Sequence, residues 1–288
     1  MNAATRLTPP AVFLSLVTPV HNGEAFIEAN LRHIVRILEQ LGRPFEVIVV
    51  SDGATDSSAE LARGLHDKRV IVLDYPENQG KGLAIARGLE AARGRLVGWL
   101  DSDLDVDPHV IVDAALMFDH APIDAAVGSK RHPDSRVDYP LVRRVYSWGF
   151  QMLVRLLFRI NVRDTQVGAK LFRRELIDTV EPLLLVKRYA FDLEVLAVGA
   201  EFGFDRIEEV PIELRYRFSG TGINWAAVRH MFQDTLAIAY RIHIRHWYVR
   251  RFAARQRQRM DEFARPEVQP DAHEQGGFDR AVVAPPES

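Results

Sequence analysis

The sequence lacks cysteine, a dominant charge sign and any long uncharged hydrophobic run. Among its 288 residues, 37 Lys and Arg stand against 39 Asp and Glu, giving a formal net charge of -2. Without cysteine there are no disulfides, thiolate metal ligands or cysteine nucleophiles, and the balanced charge excludes a globally basic nucleic-acid-binding protein. No apolar stretch reaches the roughly 20 residues of a membrane-spanning helix, and the first residues do not resemble a signal peptide. We therefore expect neither a signal peptide nor a membrane span.

What the sequence does have is a regular alternation of strand and helix patterns in a chain that is 47% hydrophobic. Such alternation is typical of a mostly parallel sheet covered by helices, with ligands at the carboxyl ends of the strands. The apolar runs predict strands at residues 12–18, 45–50, 70–73, 96–100 and 125–129, and helices at residues 25–41, 58–65, 83–92 and 108–118.

Four aspartates at every second position follow the predicted strand at 96–100, in the stretch GRLVGWLDSDLDVDP. Asp107 precedes Pro108, which is a good helix start, so a capping role explains that residue. Asp101 and Asp103 directly follow a buried strand, where carboxylates commonly meet ligands. Because neighbouring carboxylates repel each other, a bound cation is the favoured explanation for the cluster.

The other loops at the predicted carboxyl edge are PVHNGE (residues 19–24), SDGATDSS (51–58) and ENQGKG (77–82). ENQGKG lacks the complete phosphate-loop pattern, and no GxGxxG follows the first strand. We therefore exclude a Walker-type ATPase and a dinucleotide-dependent oxidoreductase. Gly80 and Gly82 are expected to form a tight turn that opens the next helix.

Two predicted amphipathic helices, at residues 141–160 and 225–252, carry arginines and aromatic residues along their borders. Ordinary packing explains one such helix, but two of them favour attachment to a membrane surface. We expect residues 1–10 to be flexible and the polar tail, residues 253–288, to be disordered. The catalytic domain is then expected to span residues 11–224.

The four loops, in this order, resemble those of family 2 glycosyltransferases of the GT-A fold, over roughly residues 14–248. GSKRH (128–132), RRVYS (143–147), RDTQVGAKLFRRE (163–175) and KRYAFDLEVL (187–196) are similar to the polyprenyl-phosphate hexosyltransferases, which include dolichyl-phosphate β-glucosyltransferase and dolichyl-phosphate mannose synthase. The resemblance implies a GT-A sheet with C-terminal helices at the membrane interface.

The resemblance also implies roles for individual residues. Mg²⁺ or Mn²⁺ is expected on Asp101, Asp103 and Asp105, since hard oxygen ligands suit these cations. Asp52 is expected to read the base edge and Glu24 to lie near the ribose. The expected nucleotide-binding residues are Pro19, Val20, His21, Glu24, Asp52, Lys81, Asp101 and Ser102.

On the acceptor side, Lys130, Arg143 and Ser147 match positions that hold the lipid phosphate in the family. Asp164 and Gln166 are expected to face the sugar and acceptor, and together with Asp103 they form the expected catalytic set. Taken alone, Asp164 and Gln166 are equally compatible with a simple polar turn. We interpret Asp192 as a helix cap or a partner for Arg188.

The implied reaction moves a hexose from a nucleotide sugar to a polyprenyl or dolichyl phosphate, with inversion at the anomeric carbon. A donor of the UDP-glucose type is favoured and GDP-mannose stays open. The expected enzyme is peripheral, lies at the cytoplasmic membrane face, and forms a homo-oligomer or binds a membrane-protein partner. The alternatives are a family 2 transferase with a soluble or polysaccharide acceptor and a non-catalytic nucleotide-sugar-binding protein at the membrane.

Overall fold

The structure is a computed structural model that describes residues 12–137, 141–158, 160–188, 190–214 and 225–264. The chain divides after Val249 into two units, Met1–Val249 and Arg250–Ser288. The first unit contains the sheet. The second contains the described helical residues 250–264.

A seven-stranded sheet forms the centre of the first unit, in the order β3-β2-β1-β4-β7-β5-β8. All neighbouring strands in it are parallel except that β7 runs antiparallel to both β4 and β5. A small second sheet pairs β6 with β9. The strands are β1 Leu14–Val20, β2 Phe45–Asp52, β3 Val70–Tyr75, β4 Leu96–Leu100, β5 Ala125–Ser129, β6 Arg136–Val137, β7 Ala169–Arg173, β8 Ile207–Pro211 and β9 Glu213–Leu214.

The helices bury apolar faces against this sheet and against one another. In α1, the residues Ile27, Leu31, Ile34 and Leu38 recur at three- and four-residue spacing and are buried, which is the pattern of an amphipathic helix. The helices are α1 Ile27–Leu38, α2 Ser58–Arg63, α3 Lys81–Ala91, α4 His109–His120, α5 Leu141–Phe158, α6 Arg174–Val180, α7 Phe191–Glu201, α8 Trp225–Ala239 and α9 Trp247–Ala264.

The mostly parallel α/β fold predicted from the sequence is confirmed. β4 and β5 have the predicted bounds, and the other predicted strands and the helices up to α5 differ by a few residues at their ends, as helix and strand ends commonly do. The predicted turn at Gly80 is also present, because Gly80 has φ +99° and immediately precedes α3.

The single helix predicted at residues 225–252 is wrong. α8 ends at Ala239, a π-helical turn covers Tyr240–Ile244, and α9 begins at Trp247. His246, between the π turn and α9, has φ 45°, a left-handed conformation that a continuous helix does not contain. The expected disorder from residue 253 is also wrong as far as Ala264, where α9 ends. Residues 265–288 and 1–10 lie outside the described residues.

The order of the strands creates a crevice beside β1. The neighbours of β1 are β2 on one side and β4 on the other, so the chain connections leave β1 in opposite directions. Ligands of open α/β sheets bind at such a switch point, outside the carboxyl ends of the strands. No helix in the described part of the chain is long and apolar enough to cross a membrane.

Candidate active site

A cleft of about 480 Å³ opens at the carboxyl ends of β1, β2 and β4. This volume lies in the range of about 300 to 1,000 Å³ that is usual for small-molecule sites. Seven of the eight expected nucleotide-binding residues line it, together with Asp103. Four further lining residues were not expected, namely Asn78, Gln79, Gly80 and Arg188.

Asp52 orders the loop on one side of the cleft. Its two carboxylate oxygens accept the backbone N–H groups of Gln79 at 2.8 Å and Gly80 at 2.9 Å. Its backbone oxygen lies 2.9 Å from Nδ1 of His21. The buried carboxylate therefore fixes the turn that carries Lys81 into the cleft, whereas base recognition by Asp52 stays a prediction.

Lys81 and Asp101 form an ion pair at the floor of the cleft, with Nζ and Oδ1 2.6 Å apart. Burial acts to lower the pKa of Lys81, but the nearby carboxylates of Asp101 and Asp192 outweigh it and raise the pKa above its ordinary value. Lys81 is therefore a cation at neutral pH. A fixed cation here suits the negative charge of a nucleotide diphosphate.

Asp101 lies directly against Gly168, the residue before β7. Its backbone N–H donates to Gly168 O at 3.0 Å, and a Cβ atom on Gly168 would come within 1.9 Å of Asp101 Oδ2. The glycine thus makes room for the carboxylate. Gly168 lies in the motif RDTQVGAKLFRRE, and no local pattern in that motif indicates this role.

The acidic pair fits a divalent cation that arrives with phosphate groups. Burial, followed by the charge of Asp101, raises the pKa of Asp103, so a bound cation would relieve an unfavourable negative charge. Among the described residues, no three acidic or histidine side chains form a ready-made metal site, and Asp105 is not among the cleft-lining residues. Mg²⁺ commonly binds through one or two carboxylates plus substrate phosphates, and Asp101 and Asp103 match that mode of binding.

A second polar cluster contains Lys130 of the expected acceptor set and Asp164 and Gln166 of the expected catalytic set, and the roles of all three stay predictions. Lys130 Nζ lies 3.8 Å from Asp164 Oδ2, and the Lys130 N–H donates to the same oxygen at 3.3 Å. Gln166 N–H donates to Asp164 Oδ1 at 3.0 Å. The short segment that follows, up to Gly168, connects this cluster to Asp101. Arg143 and Ser147 lie outside the residues whose side chains are described.

The contacts of two further acidic residues bear on their predicted roles; the position of Glu24 near the ribose stays a prediction. Glu24 is outside the cleft lining, and its Oε2 accepts the N–H of Ser57 at 3.2 Å, near the start of α2. Asp192 does not pair with Arg188. Its Oδ1 instead accepts Lys170 Nζ at 2.6 Å and Trp99 Nε1 at 3.0 Å in the buried core.

Arg188 is the clearest functional candidate that sequence reasoning missed. It lies in the motif KRYAFDLEVL but was considered only as a partner for Asp192. In the structure it lines the cleft, and both its Cγ atom and the backbone oxygen of its neighbour Lys187 lie close to where a Cβ atom on Gly80 would be. Only the tertiary fold brings these distant parts of the chain together.

The sheet and its cleft have the architecture of the GT-A glycosyltransferases. An acidic pair, a lysine and a glycine-containing turn surround the switch point beside β1, where this class binds its donor. The sequence profile of Glycosyl transferase family 2 matches residues 15–180. The chain belongs to this family.

Characterised relatives refine the comparison. Glycosyltransferase AglD of Haloferax volcanii is 34% identical over 210 residues, which cover 72% of this chain and 34% of that protein. The dolichyl-phosphate beta-glucosyltransferase of Drosophila melanogaster is 35% identical over 203 residues, covering 65% of this chain and 62% of that protein. The human enzyme of the same name is 30% identical, with coverage of 76% and 69%. The chain thus spans about a third of the archaeal relative and under two thirds of the Drosophila one.

Solved structures agree with the fold. The UDP complex of glucosyl-3-phosphoglycerate synthase from Mycobacterium tuberculosis superposes with a TM-score of 0.63 at 21% identity, covering 79% of this chain and 80% of that chain. The complex of the same enzyme with Mn²⁺ and UDP-glucose gives 0.61 at 20% identity, with 79% of each chain covered. At such identity the likeness shows the GT-A fold alone.

Proposed function

We propose that the enzyme transfers a hexose from a UDP-glucose-type donor to a polyprenyl or dolichyl phosphate, with inversion. The products are a β-linked lipid-phosphate sugar and a free nucleotide diphosphate. The observation that carries the proposal is the pairing of two clusters through one short segment, with Asp101 and Lys81 at one end and Lys130 and Asp164 at the other. The similarity to dolichyl-phosphate glucosyltransferases supports the choice of acceptor.

On the donor side, Asp101 and Asp103 would hold Mg²⁺ or Mn²⁺ and Lys81 would contact the donor's diphosphate. When bound, such a metal neutralises charge on the leaving nucleotide diphosphate. Asp52 contributes by holding the turn before Lys81 through two backbone hydrogen bonds. Lys81 is thereby oriented before the donor arrives.

On the acceptor side, Lys130 offers a cation to the lipid phosphate, and Asp164 holds Lys130 in place. An oxygen of that phosphate attacks the anomeric carbon from the face opposite the donor, and the bond from that carbon to the nucleotide diphosphate breaks. A phosphate monoester has a second pKa of about 6 and is already anionic at neutral pH. A strong general base is therefore not needed.

Two neighbouring helices offer a surface for the lipid bilayer. On α5, Trp148, Met152 and Leu156 follow each other at four-residue spacing and are 60%, 47% and 79% exposed. On α8, Val228, Phe232 and Leu236 repeat the pattern. The two helices contact each other, and we define these six residues as the apolar face. Exposed apolar stripes with nearby arginines, such as Arg155, are typical of helices that lie in the membrane interface; we place the enzyme at the cytoplasmic face.

The decisive test is transfer of labelled sugar into polyprenyl phosphate from UDP-glucose, UDP-GlcNAc and GDP-mannose in separate reactions with Mn²⁺. We expect a lipid-extractable product from UDP-glucose that EDTA abolishes. Asp103→Ala should reduce the rate at least about 100-fold, since it removes a metal ligand at the leaving group. The rate of product formation is the measurement.

Asp107→Ala is the matched control, because Asp107 belongs to the same acidic stretch but accepts the N–H of His109 at the start of α4. This variant should keep the wild-type rate. Product from GDP-mannose alone would correct the donor. Transfer to a hydroxyl acceptor, without transfer to any lipid phosphate, would overturn the proposed acceptor, and nucleotide binding without turnover would indicate a non-catalytic binding protein.

A further inference from the structure

Glu194 is a fully buried carboxylate outside the cleft, and the proposed reaction does not use it. Its Oε2 accepts two consecutive backbone N–H groups, those of Leu185 at 2.9 Å and Val186 at 2.8 Å. Its Oε1 accepts the hydroxyl of Tyr248 at 2.5 Å, and Arg241 Nη1 lies 3.8 Å away. One side chain thus joins two distant parts of the chain.

Such an arrangement is costly unless every oxygen is partnered. Burial raises the pKa of Glu194, although the hydrogen bonds from Tyr248 and the two backbone N–H groups act in the opposite direction. An apolar side chain of the same size would leave the N–H groups of Leu185 and Val186 and the hydroxyl of Tyr248 without this acceptor, which is itself unfavourable. The carboxylate therefore has a use beyond packing, and its partners indicate what that use is.

The segment held by Oε2 leads directly into the donor cleft. After Leu185 and Val186, the oxygen of Lys187 accepts the N–H of Leu83 at 3.3 Å. That oxygen lies 2.7 Å from where a Cβ atom on Gly80 would be, so the segment packs tightly on the turn that carries Lys81. The next residue, Arg188, lines the cleft, and within the described part of the chain no carboxylate pairs with it.

The partner of Oε1 comes from the C-terminal helices. Tyr248 lies in the first turn of α9 and is 1% exposed, and Arg241 belongs to the π turn that follows α8. The π turn is itself attached to the end of α5, since His243 Nε2 lies 2.6 Å from the oxygen of Leu157. Glu194 therefore connects the helices that carry the apolar face to the wall of the donor cleft.

We propose that Glu194 is a positioning residue for donor binding. By holding Leu185 and Val186 on one oxygen and Tyr248 on the other, it keeps Arg188 in the cleft, where the guanidinium meets the donor's diphosphate. Donor affinity then depends on Tyr248, although Tyr248 is not among the residues that line the cleft. The inference rests on the proposed use of a nucleotide-sugar donor.

The test is a double-mutant cycle between Tyr248 and Arg188, with the dissociation constant of UDP-glucose measured by calorimetry in Mn²⁺. Tyr248→Phe removes only the hydroxyl and should weaken binding about fivefold. Arg188→Ala should weaken it about tenfold by removing a charge-assisted contact. Because both changes act through Arg188, the double variant should bind no more weakly than Arg188→Ala, whereas independent sites give additive effects.

Tyr240→Phe is the control, since Tyr240 lies in the same helical stretch with an exposed side chain, and it should leave binding unchanged. Glu194→Gln should act in the same direction as Tyr248→Phe. A lowered melting temperature for Tyr248→Phe with donor affinity within about twofold of wild type would reduce Glu194 to a structural role. Full additivity in the double variant would equally overturn the proposal. The measurement needs no acceptor, and GDP-mannose serves if the wild type prefers it, so an error in the proposed substrates does not change the comparison.

Discussion

At the scale of single residues, the cleft depends on places where backbone and carboxylate come too close for any side chain. Gly168 is the sharpest case, because the carboxylate of Asp101 occupies the space that its Cβ atom would need. The same principle applies at Gly80, where the backbone of Lys187 is the neighbour. Gly168 allows the carboxylate of Asp101 to lie against the main chain, and Gly80 allows the backbone of Lys187 to lie against the turn before Lys81.

Gly168→Ala should therefore impair donor and metal binding far more than it impairs folding. The added methyl group must displace Asp101, which also pairs with Lys81. We expect UDP binding in Mn²⁺ to weaken by at least about tenfold, as is usual when a metal's surroundings are disturbed. Calorimetric titration with UDP, alongside the melting temperature, is the measurement.

Gly199→Ala is the natural comparison for that variant. A Cβ atom on Gly199 would meet only side-chain carbons of Leu176, the nearest at 3.6 Å, which is ordinary contact. This change lies in α7, where alanine is the better helix former by about 1 kcal/mol, so nucleotide binding should be unchanged. Equal affinity loss in both variants would contradict the role given to Gly168.

The sequence indicated some residues of the donor cleft but not others. Asp101 and Asp103 were predicted because they directly follow a buried strand, and Lys81 because the resemblance to family 2 glycosyltransferases implies it. Arg188 and Gly168 were not, because their importance depends on contacts across the fold, with Gly80 and Asp101. Asp192 was assigned the wrong partner because it pairs with Lys170, a buried lysine. No local sequence pattern predicts that pairing.

At the scale of secondary-structure elements, a buried carboxylate in β2 joins neighbouring elements at the end of the sheet that lies away from the cleft. Glu46 Oε1 accepts Ser15 Oγ at 2.6 Å and the Arg93 N–H at 2.8 Å, and Oε2 accepts Arg93 Nε at 3.0 Å. These bonds join β1, β2 and the link from α3 to β4. Glu46 thus ties together the three strands that bear the cleft at their other ends.

This contact should make stability depend on pH in a defined direction. Burial acts to raise the pKa of Glu46, but the hydrogen bonds from Arg93 and Ser15 outweigh it, so the pKa lies below its ordinary value of 4.5. The stabilisation is complete above that ordinary value and is lost as the pH falls through the lower pKa of the folded state. Glu46→Gln should lower the free energy of unfolding by about 1 to 3 kcal/mol at neutral pH, with a smaller difference in acid.

Urea unfolding of the wild type and of Glu46→Gln, from neutral pH down to pH 3, measures this difference in the free energy of unfolding. Glu28→Gln is the control, because Glu28 pairs with Arg32 on the exposed surface of α1, where ion pairs contribute little. It should leave the unfolding midpoint unchanged throughout. A pH-independent difference for Glu46→Gln would show that the charge of Glu46 does not matter.

Elements whose apolar residues recur at a regular spacing were predictable from the sequence, and elements without such a spacing were not. β7 was missed because Lys170 interrupts its apolar run, although that lysine is buried. No bounds were predicted for α7, because it is buried on nearly every side and so shows little amphipathic contrast. The C-terminal break escaped notice because the π turn keeps an apolar pattern while its residues leave α-helical geometry.

At the scale of the whole molecule, the apolar face is the surface feature that the proposed function needs most. A lipid acceptor reaches the cleft only if the enzyme lies against a bilayer. Leu156→Glu combined with Phe232→Glu should abolish flotation with anionic lipid vesicles, since two charges would enter the interface. Vesicle flotation followed by immunoblotting is the measurement, and UDP binding should be retained.

Leu116→Glu provides the comparison, because Leu116 is an exposed leucine on α4, away from both stripes of the apolar face in the chain. It should float like the unaltered protein. Loss of flotation in this variant as well would mean that any added charge weakens binding. A wild type that stays at the bottom of the gradient would remove the membrane from the proposal.

Because β7 runs antiparallel to β5, the two ends of the long segment that joins these strands lie next to each other. Val127 in β5 pairs with Lys170 in β7, so the chain leaves the sheet after Ser129 and returns at Gly168 on adjacent strands of the same edge. The segment between these strands, which includes Lys130, Asp164 and α5, begins and ends on neighbouring strands, and it also contacts β9 through β6 and α8 through α5. Replacing this segment by that of another family member, together with the residues of β9 and α8 that it contacts, would test whether the segment selects the acceptor, because Lys81 and Asp103 lie outside it.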